Sequence, residues 1–215
     1  LEAGAAANGV VKRVLLSSWT KALVFALCLV PLVDLLWRAY RQDLTANPVE
    51  FITHTTGDWT IRFLMITLSV TPLRLWLRQP LLVRFRRMFG LFSFFYAMLH
   101  FAAWFCIDKF FDFQEMGKDI LKRPFITIGM AALLMLAPLA VTSTGGWVRR
   151  LGYRRWRKLH RLVYAIALCG VIHYYWLVKS DVRLPLLYGA IWVTLMTARL
   201  IEWRRRRLPA PATSK

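Results

Sequence analysis

Residues 156–178 read WRKLHRLVYAIALCGVIHYYWLV, and from Leu162 to Val178 the stretch carries no acid, lysine or arginine. At about 1.5 Å per residue it is long enough to cross the roughly 30 Å hydrocarbon core of a bilayer as one helix. Trp156 and Trp176 stand near its two ends, where an interfacial aromatic belt places them. Two histidines, His160 and His173, lie within it, and ionisable side chains at membrane depth turn inward to a partner, a cavity or a cofactor.

Outward from this run, the same criterion picks out Trp19–Trp37, Trp59–Leu77, Met88–Ile107, Pro124–Val141 and Leu184–Trp203. Arg62 and Pro72 interrupt the second, but both sit near its ends, where a snorkelling side chain or a last-turn break is tolerated. The composition agrees. Of 215 residues 58% are apolar and 19% charged, with mean hydropathy +0.45, whereas a soluble domain carries about 25% charged residues. The longest polar stretches, 38–58 and 108–123, are too short for a core of their own. The expected architecture is an all-α integral membrane protein, a six-transmembrane-helix bundle over 19–203, with tails at 1–18 and 204–215. This excludes a secreted mini-protein, a disordered chain and a large soluble enzyme. Cys28, Cys106 and Cys169 are too far apart for a disulfide framework or a cysteine-spaced metal site.

Charge sets the orientation. Arg74, Arg78, Arg84, Arg86 and Arg87 fill one connection, and Arg149, Arg150, Arg154, Arg155, Arg157 and Lys158 another, with no acid in either. Lys12, Arg13 and Arg204 to Arg207 flank the outer runs, while the alternate connections hold Asp43, Glu50, Asp58, Asp108, Asp112, Glu115, Asp119 and Asp181. The positive-inside rule then gives N-in/C-in, with 1–18 and 204–215 cytoplasmic. The net charge of +19 is read as topogenic, with lipid as the partner and no nucleic acid. Trp19, Trp37, Trp59, Trp76, Trp104 and Trp203 join Trp156 and Trp176 near span ends. The first run is too long for a signal-peptide core and lacks a small-x-small site, so it is read as a retained helix. The tail 208–215 is expected to be disordered. There is no internal repeat, phosphate-binding glycine loop or serine-hydrolase elbow.

His100 joins His160 and His173 inside the runs. Counted from the inner ends of parallel spans, His100 and His173 lie within roughly 6 Å in depth, and two histidines facing across a bundle can ligate one haem iron axially. His160 lies nearer the cytoplasmic edge. On a straight helix it stands about 20 Å from His173 and about 140° around from it, so the two serve different cavities unless the helix is distorted. Helix bracing by an interhelical hydrogen bond is the alternative for each histidine. The aromatics around them, Phe92 to Phe105 and Tyr164 to Trp176, suit a porphyrin wall, although a stripe of this kind more often marks ordinary packing. Asp34 is the only acid well inside a run, which weighs against a proton-coupled transporter.

The strings THTTG (53–57), QPLLVRFRRMFGL (79–91), RPFITIG (123–129), VTSTGGW (141–147), LGYRRWRKLHRLVY (151–164) and HYYWLVKSD (173–181), in this order, resemble the MsrQ (YedZ) family. That family comprises haem-binding membrane subunits of the bacterial periplasmic methionine sulfoxide reductase system. The resemblance implies a ferric-reductase-like transmembrane domain in the inner membrane, binding haem b, with FMN also associated. Electrons would come from the quinol pool or a cytosolic flavin reductase and leave to a periplasmic molybdopterin-containing subunit. It implies His100 and His173 as ligands of an outer haem and His160 at an inner redox site, one haem being expected and a second possible. Two-haem relatives carry two histidines on the third span, but Arg87 stands 13 residues before His100 here. The inner cavity would then hold a haem with a non-histidine second ligand, or the flavin, its phosphate meeting Arg78, Arg86, Arg87 and Arg154. For these arginines topology alone is the competing account. His54 would sit at the external mouth. The partner would dock on the external connections 38–58, 108–123 and 179–183. The alternatives are a stand-alone ferric or quinol reductase of the same fold, and a cofactor-free transporter or scaffold.

Overall fold

The computed structural model describes residues 12–205. The expected disordered segment 208–215 and most of the two tails lie outside the described residues. Residues 12–16 are helical, and the chain continues through α1 (Ser18–Tyr40), α2 (Pro48–Trp76) and a 3-10 turn (Pro80–Leu82) into α3 (Val83–Ala102). It then forms a π-helical turn (Ala103–Asp108), α4 (Phe113–Lys122), α5 (Pro124–Val141), α6 (Gly145–Leu151), α7 (Tyr153–Leu159), α8 (Leu162–Leu177) and α9 (Arg183–Arg205). All regular elements among the described residues are helical, as the composition requires.

Four segments among the described residues are long and apolar enough to cross a membrane: α1, Pro80–Asp108, α5 and α9. The other two expected spans differ from the simple picture for identifiable reasons. Helix α2 is 29 residues long and begins well before Trp59, because Asn47 caps it and Pro48 occupies its first position. The Asn47 side chain accepts from Glu50 N–H at 3.3 Å and donates to the Glu50 carboxylate at 3.0 Å, a capping arrangement written in NPVE. The stretch 38–58, expected as a loop, is therefore mostly helix, only 41–47 lying between α1 and α2. Likewise 108–123 houses α4, capped by Asp112, whose carboxylate accepts from the N–H groups of Gln114 and Glu115.

The expected continuous span 156–178 is broken. Helix α7 ends at Leu159 and α8 starts at Leu162, leaving 16 residues in α8. His160 Nδ1 donates to the Trp156 carbonyl at 3.1 Å, and the chain tightens there: Arg161 N–H bonds Lys158 at 3.2 Å and Tyr164 N–H bonds Arg161 at 3.1 Å, both three residues back. The Trp156 carbonyl keeps its regular partner as well, accepting from His160 N–H at 3.0 Å, and the ladder changes from four-residue to three-residue bonds just after it. The angular relation of His160 and His173 drawn for a straight helix consequently does not apply.

The bundle is built from two tight helix pairs, α2 with α3 and α5 with α8; α9 packs on α8 and α2, and α3 meets α5. One core joins Leu64 and Leu68 of α2 to Leu136 and Leu139 of α5, Ile166 and Ala167 of α8 and Tyr188 of α9. A second, aromatic core packs Phe63, Phe85, Phe92 and Tyr96 around Cys28 of α1. Polar side chains tie helices where lipid offers no hydrophobic drive between them. Ser93 Oγ donates to the Thr60 carbonyl at 3.1 Å, Arg62 Nε to Tyr188 Oη at 3.2 Å, and Trp192 Nε1 to the Tyr164 carbonyl at 3.1 Å. The outer faces expose Leu23, Val30 and Leu36 on α1, Leu134 on α5, and Leu187, Val193 and Leu200 on α9, as a lipid-facing surface does. Trp19, Trp37, Trp76, Trp176 and Trp203 are exposed near helix ends. Trp59, Trp104 and Trp156 are instead partly buried and engage other side chains.

Candidate functional site: a paired-histidine cavity

Helix α3 delivers His100 and α8 delivers His173 to a common point, with ring centroids 6.0 Å apart and ring planes at 85°. Each ring is held by the backbone of the neighbouring helix. His100 Nδ1 lies 2.8 Å from the Thr53 carbonyl of α2, and His173 Nδ1 lies 2.6 Å from the Phe125 carbonyl of α5. A carbonyl oxygen can only accept, so both Nδ1 atoms carry the proton and both Nε2 atoms keep a free lone pair. Metal-ligating histidines have this arrangement, the second nitrogen being anchored so that tautomer and orientation are fixed.

The rings open onto a cavity of about 310 Å³ between the two helix pairs. Its walls are mostly apolar, with Ile61 and Leu64 from α2, Ala97 and Phe101 from α3, Leu133 and Leu136 from α5, and Ile166 from α8. Trp104, in the π-helical turn, lines it as well; the wider turn redirects the chain at the cavity mouth. His54, Asp58, Asp108 and Arg123 are ionisable members of the same lining. His54, expected in an external loop, stands instead on α2 and is among the lining residues.

His160 does not line this cavity. Its ring stacks on Trp156 with centroids 4.1 Å apart, and Trp156 Nε1 donates to the Thr142 carbonyl at 2.9 Å. Its Nε2 is enclosed without a hydrogen-bond partner, as are Nε of Arg74 and Nε of Arg199. Arg199 lies over the Tyr164 ring at 5.2 Å and donates to the carbonyls of Leu195, at 3.1 Å, and Leu68. Of the four arginines singled out in the sequence, Arg86 is partly buried and donates to Thr71 Oγ1 at 3.4 Å. Arg78, Arg87 and Arg154 are exposed, and none of the four lines the paired-histidine cavity.

Sequence reasoning missed the enclosed nitrogens of Arg74, whose position read as topology, and of Arg199, which stands inside the run Leu184–Trp203 and was not singled out. It also missed Gly57 and Gly129, which line the cavity beside the histidine rings. The signal was present in THTTG and RPFITIG, in which each glycine stands four residues after the residue whose carbonyl holds a histidine.

A membrane helix bundle with two facing, backbone-anchored imidazoles in an apolar cavity defines a class, the ferric-reductase-like transmembrane proteins. The family described as "Ferric reductase like transmembrane component" matches residues 56–171, which include both helix pairs' cavity-lining positions from Gly57 to Gly170. Three relatives narrow this further. A Caulobacter vibrioides protein is 52% identical over 183 residues, covering 85% of this chain and 87% of the relative. One from Herminiimonas arsenicoxydans is 49% identical over 189 residues, covering 86% and 87%. One from Xanthomonas euvesicatoria is 46% identical over 210 residues, covering 91% and 95%. Each is named protein-methionine-sulfoxide reductase heme-binding subunit MsrQ. The chain belongs to the MsrQ family.

Proposed function

We propose that this protein is the haem-binding, electron-transferring membrane subunit of a methionine sulfoxide reductase system, with His100 and His173 as the axial ligands of a haem b. One observation carries the reading: both histidines spend Nδ1 on a backbone carbonyl and keep Nε2 free toward a shared apolar cavity. The residues fit the group. Two imidazoles bonded through Nε2 at about 2 Å on either side of one metal have centroids roughly 6 Å apart, and the observed separation is 6.0 Å. Among the described residues no cluster of three or more His, Cys, Asp or Glu could hold a bare ion. Two facing imidazoles make a metal site when a macrocycle supplies the equatorial donors.

Haem supplies one-electron transfer when bound; the protein supplies orientation, dielectric and exclusion of competing ligands. Thr53 and Phe125 fix the tautomers, Leu64, Leu133 and Ile166 keep the site dry, and His54 and Arg123 add ionisable groups to the lining. We further read the chain as six spans with both termini cytoplasmic, α2 and α8 joining the four segments already counted, over a domain of 19–203. Electrons would enter from the quinol pool or a cytosolic flavin reductase and leave to a periplasmic molybdopterin-containing partner at the external connections. His160, with Arg199 over Tyr164 in the first turn of α8, is read as the inner redox site, for a second haem or for FMN. For FMN, Arg78, Arg86, Arg87 and Arg154 remain the candidate phosphate contacts.

The test is the absorption spectrum, oxidised and dithionite-reduced, of detergent-purified protein, with haem and flavin quantified per chain, beside His100→Ala, His160→Ala and His173→Ala. A low-spin b-type spectrum lost in the His100 and His173 variants supports the reading. A folded, colourless protein after expression with ample haem and flavin overturns it, leaving the histidines as helix braces.

A further inference from the structure

Two glycines stand where a side chain would collide with the histidine rings. A Cβ built on Gly57 would lie 3.1 Å from both Cε1 and Nδ1 of His100. One built on Gly129 would lie 2.6 Å from Nδ1 and 2.8 Å from Cε1 of His173. The glycines sit on different helices, α2 and α5, yet occupy the same register. Gly57 follows Thr53 by four residues, Gly129 follows Phe125 by four, and Thr53 and Phe125 supply the carbonyls that hold the rings.

The repetition has a physical cause. In an α-helix the carbonyl of residue i is directed toward residue i+4, and each Cβ tilts back toward the helix N-terminus, so the Cβ of i+4 flanks that carbonyl. A side chain at i+4 therefore blocks sideways approach to the carbonyl of residue i. Glycine removes the obstruction and lets a ring nitrogen from a neighbouring helix reach an oxygen already inside a helix ladder. Glycine is disfavoured in a helix interior relative to alanine, and two such residues at equivalent places indicate that the opening is being used.

We infer that Gly57 and Gly129 are positioning residues, each opening one helix carbonyl, of Thr53 and of Phe125, so that it fixes the tautomer and orientation of a cofactor-binding histidine, His100 and His173 respectively. The inference deepens the haem reading and rests on it. It extends the site beyond its two imidazoles to a pair of five-residue segments, 53–57 and 125–129. The two contacts also predict an order. The Gly129 approach leaves no room for any Cβ, so His173 must move. The Gly57 approach can be relieved by a shift of a few tenths of an ångström.

The experiment has two arms. In the first, 15N-histidine-labelled native protein, without haem, is examined by NMR after assignment through the single His100→Ala and His173→Ala variants. Both rings are expected in the Nδ1–H form with hydrogen-bonded Nδ1; the Nε2–H form at either ring overturns the inference. This arm needs no glycine variant to fold. In the second, haem-loaded Gly57→Ala and Gly129→Ala are compared with Gly90→Ala and Gly189→Ala. An added Cβ at Gly90 or Gly189 would meet only ordinary contacts, 3.7 Å from Thr67 and 3.6 Å from Val171. The expected result is a displaced low-spin ferric EPR signal for Gly57→Ala, a larger displacement or conversion to high spin for Gly129→Ala, and a native signal for both controls. Native signals from Gly57→Ala and Gly129→Ala overturn the positioning role. If His100→Ala and His173→Ala also keep the native signal, the haem reading itself has failed; if they lose it, only the glycine assignment has.

Discussion

The hydroxyl of Tyr96 donates to the carbonyl of Cys28 across 2.9 Å, tying α3 to α1 in the aromatic core. The same oxygen accepts from Leu32 N–H at 3.2 Å, so a phenol from α3 is inserted into the backbone ladder of α1 one residue after Pro31. Tyr96 is 1% exposed. This is the main polar tie that holds an otherwise lipid-facing helix to the bundle.

Tyr96→Phe is expected to lower stability by about 1–3 kcal/mol, since a buried donor and acceptor lose a partner together. The effect should be largest at α1. Thermal unfolding in detergent, with protease sensitivity of the α1–α2 connection, measures it; an unchanged transition would show that the hydroxyl carries no load.

Lys109 anchors the connection between α3 and α5, with its ammonium 2.8 Å from Asp119, 2.7 Å from Glu115 and 3.6 Å from Asp108. Its side chain is 8% exposed. Burial alone would depress its pKa, but the hydrogen bonds to Asp119 and Glu115 and the charges of Asp108 and Asp119 outweigh burial, and the pKa is raised. A raised lysine pKa contributes stability that is fully present below the unfolded value, about 10.4, and is lost as pH rises through the folded value. Native protein should therefore hold α4 unchanged from neutral pH to about 10. Lys109→Met should loosen it by about 2 kcal/mol, having left Asp119 short of its main partner. Hydrogen exchange of the α4 amides reads both effects.

The 85° angle between the His100 and His173 ring planes predicts the electronic signature of the loaded site. Perpendicular axial imidazoles give a strongly anisotropic low-spin ferric signal, parallel ones a rhombic signal of smaller spread. EPR of the purified haem protein distinguishes them.

His160→Ala should leave that signal intact, because His160 lines a different part of the bundle. Any haem or flavin held near Trp156 should fall by half or more. Haem and flavin content per chain, measured together with EPR, separates the two centres, and equal loss at both would place His160 in the outer site.

Reporter fusions after Arg78 and Arg150 should report the cytoplasm, and one after Asp112 the opposite face. A periplasmic signal at Arg78 would remove α2 from the set of membrane-crossing helices.

The membrane class, the run Pro124–Val141 and the meeting of His100 with His173 were legible in the sequence, because hydrocarbon thickness and helix rise leave little freedom. Helix α2 was legible only in part. Its apolar half announced a span, and its polar start was masked by charges although NPVE carried a capping signal. The break at His160 was not legible, since neither proline nor glycine marks it; it shows only in the three-residue bonds of Arg161 to Lys158 and Tyr164 to Arg161. Gly57 and Gly129 were within quoted strings but had no meaning until two neighbouring helices brought rings against them.

Each histidine borrows its anchoring carbonyl from a helix synthesised earlier, His100 from α2 and His173 from α5. During biogenesis the α2–α3 pair can therefore orient His100 as soon as it enters the membrane, while the opposing half waits for α8 to dock on α5. On the proposed ligation by both rings, cofactor capture is a late event, and a chain stalled before α8 presents one prepared imidazole with nothing facing it.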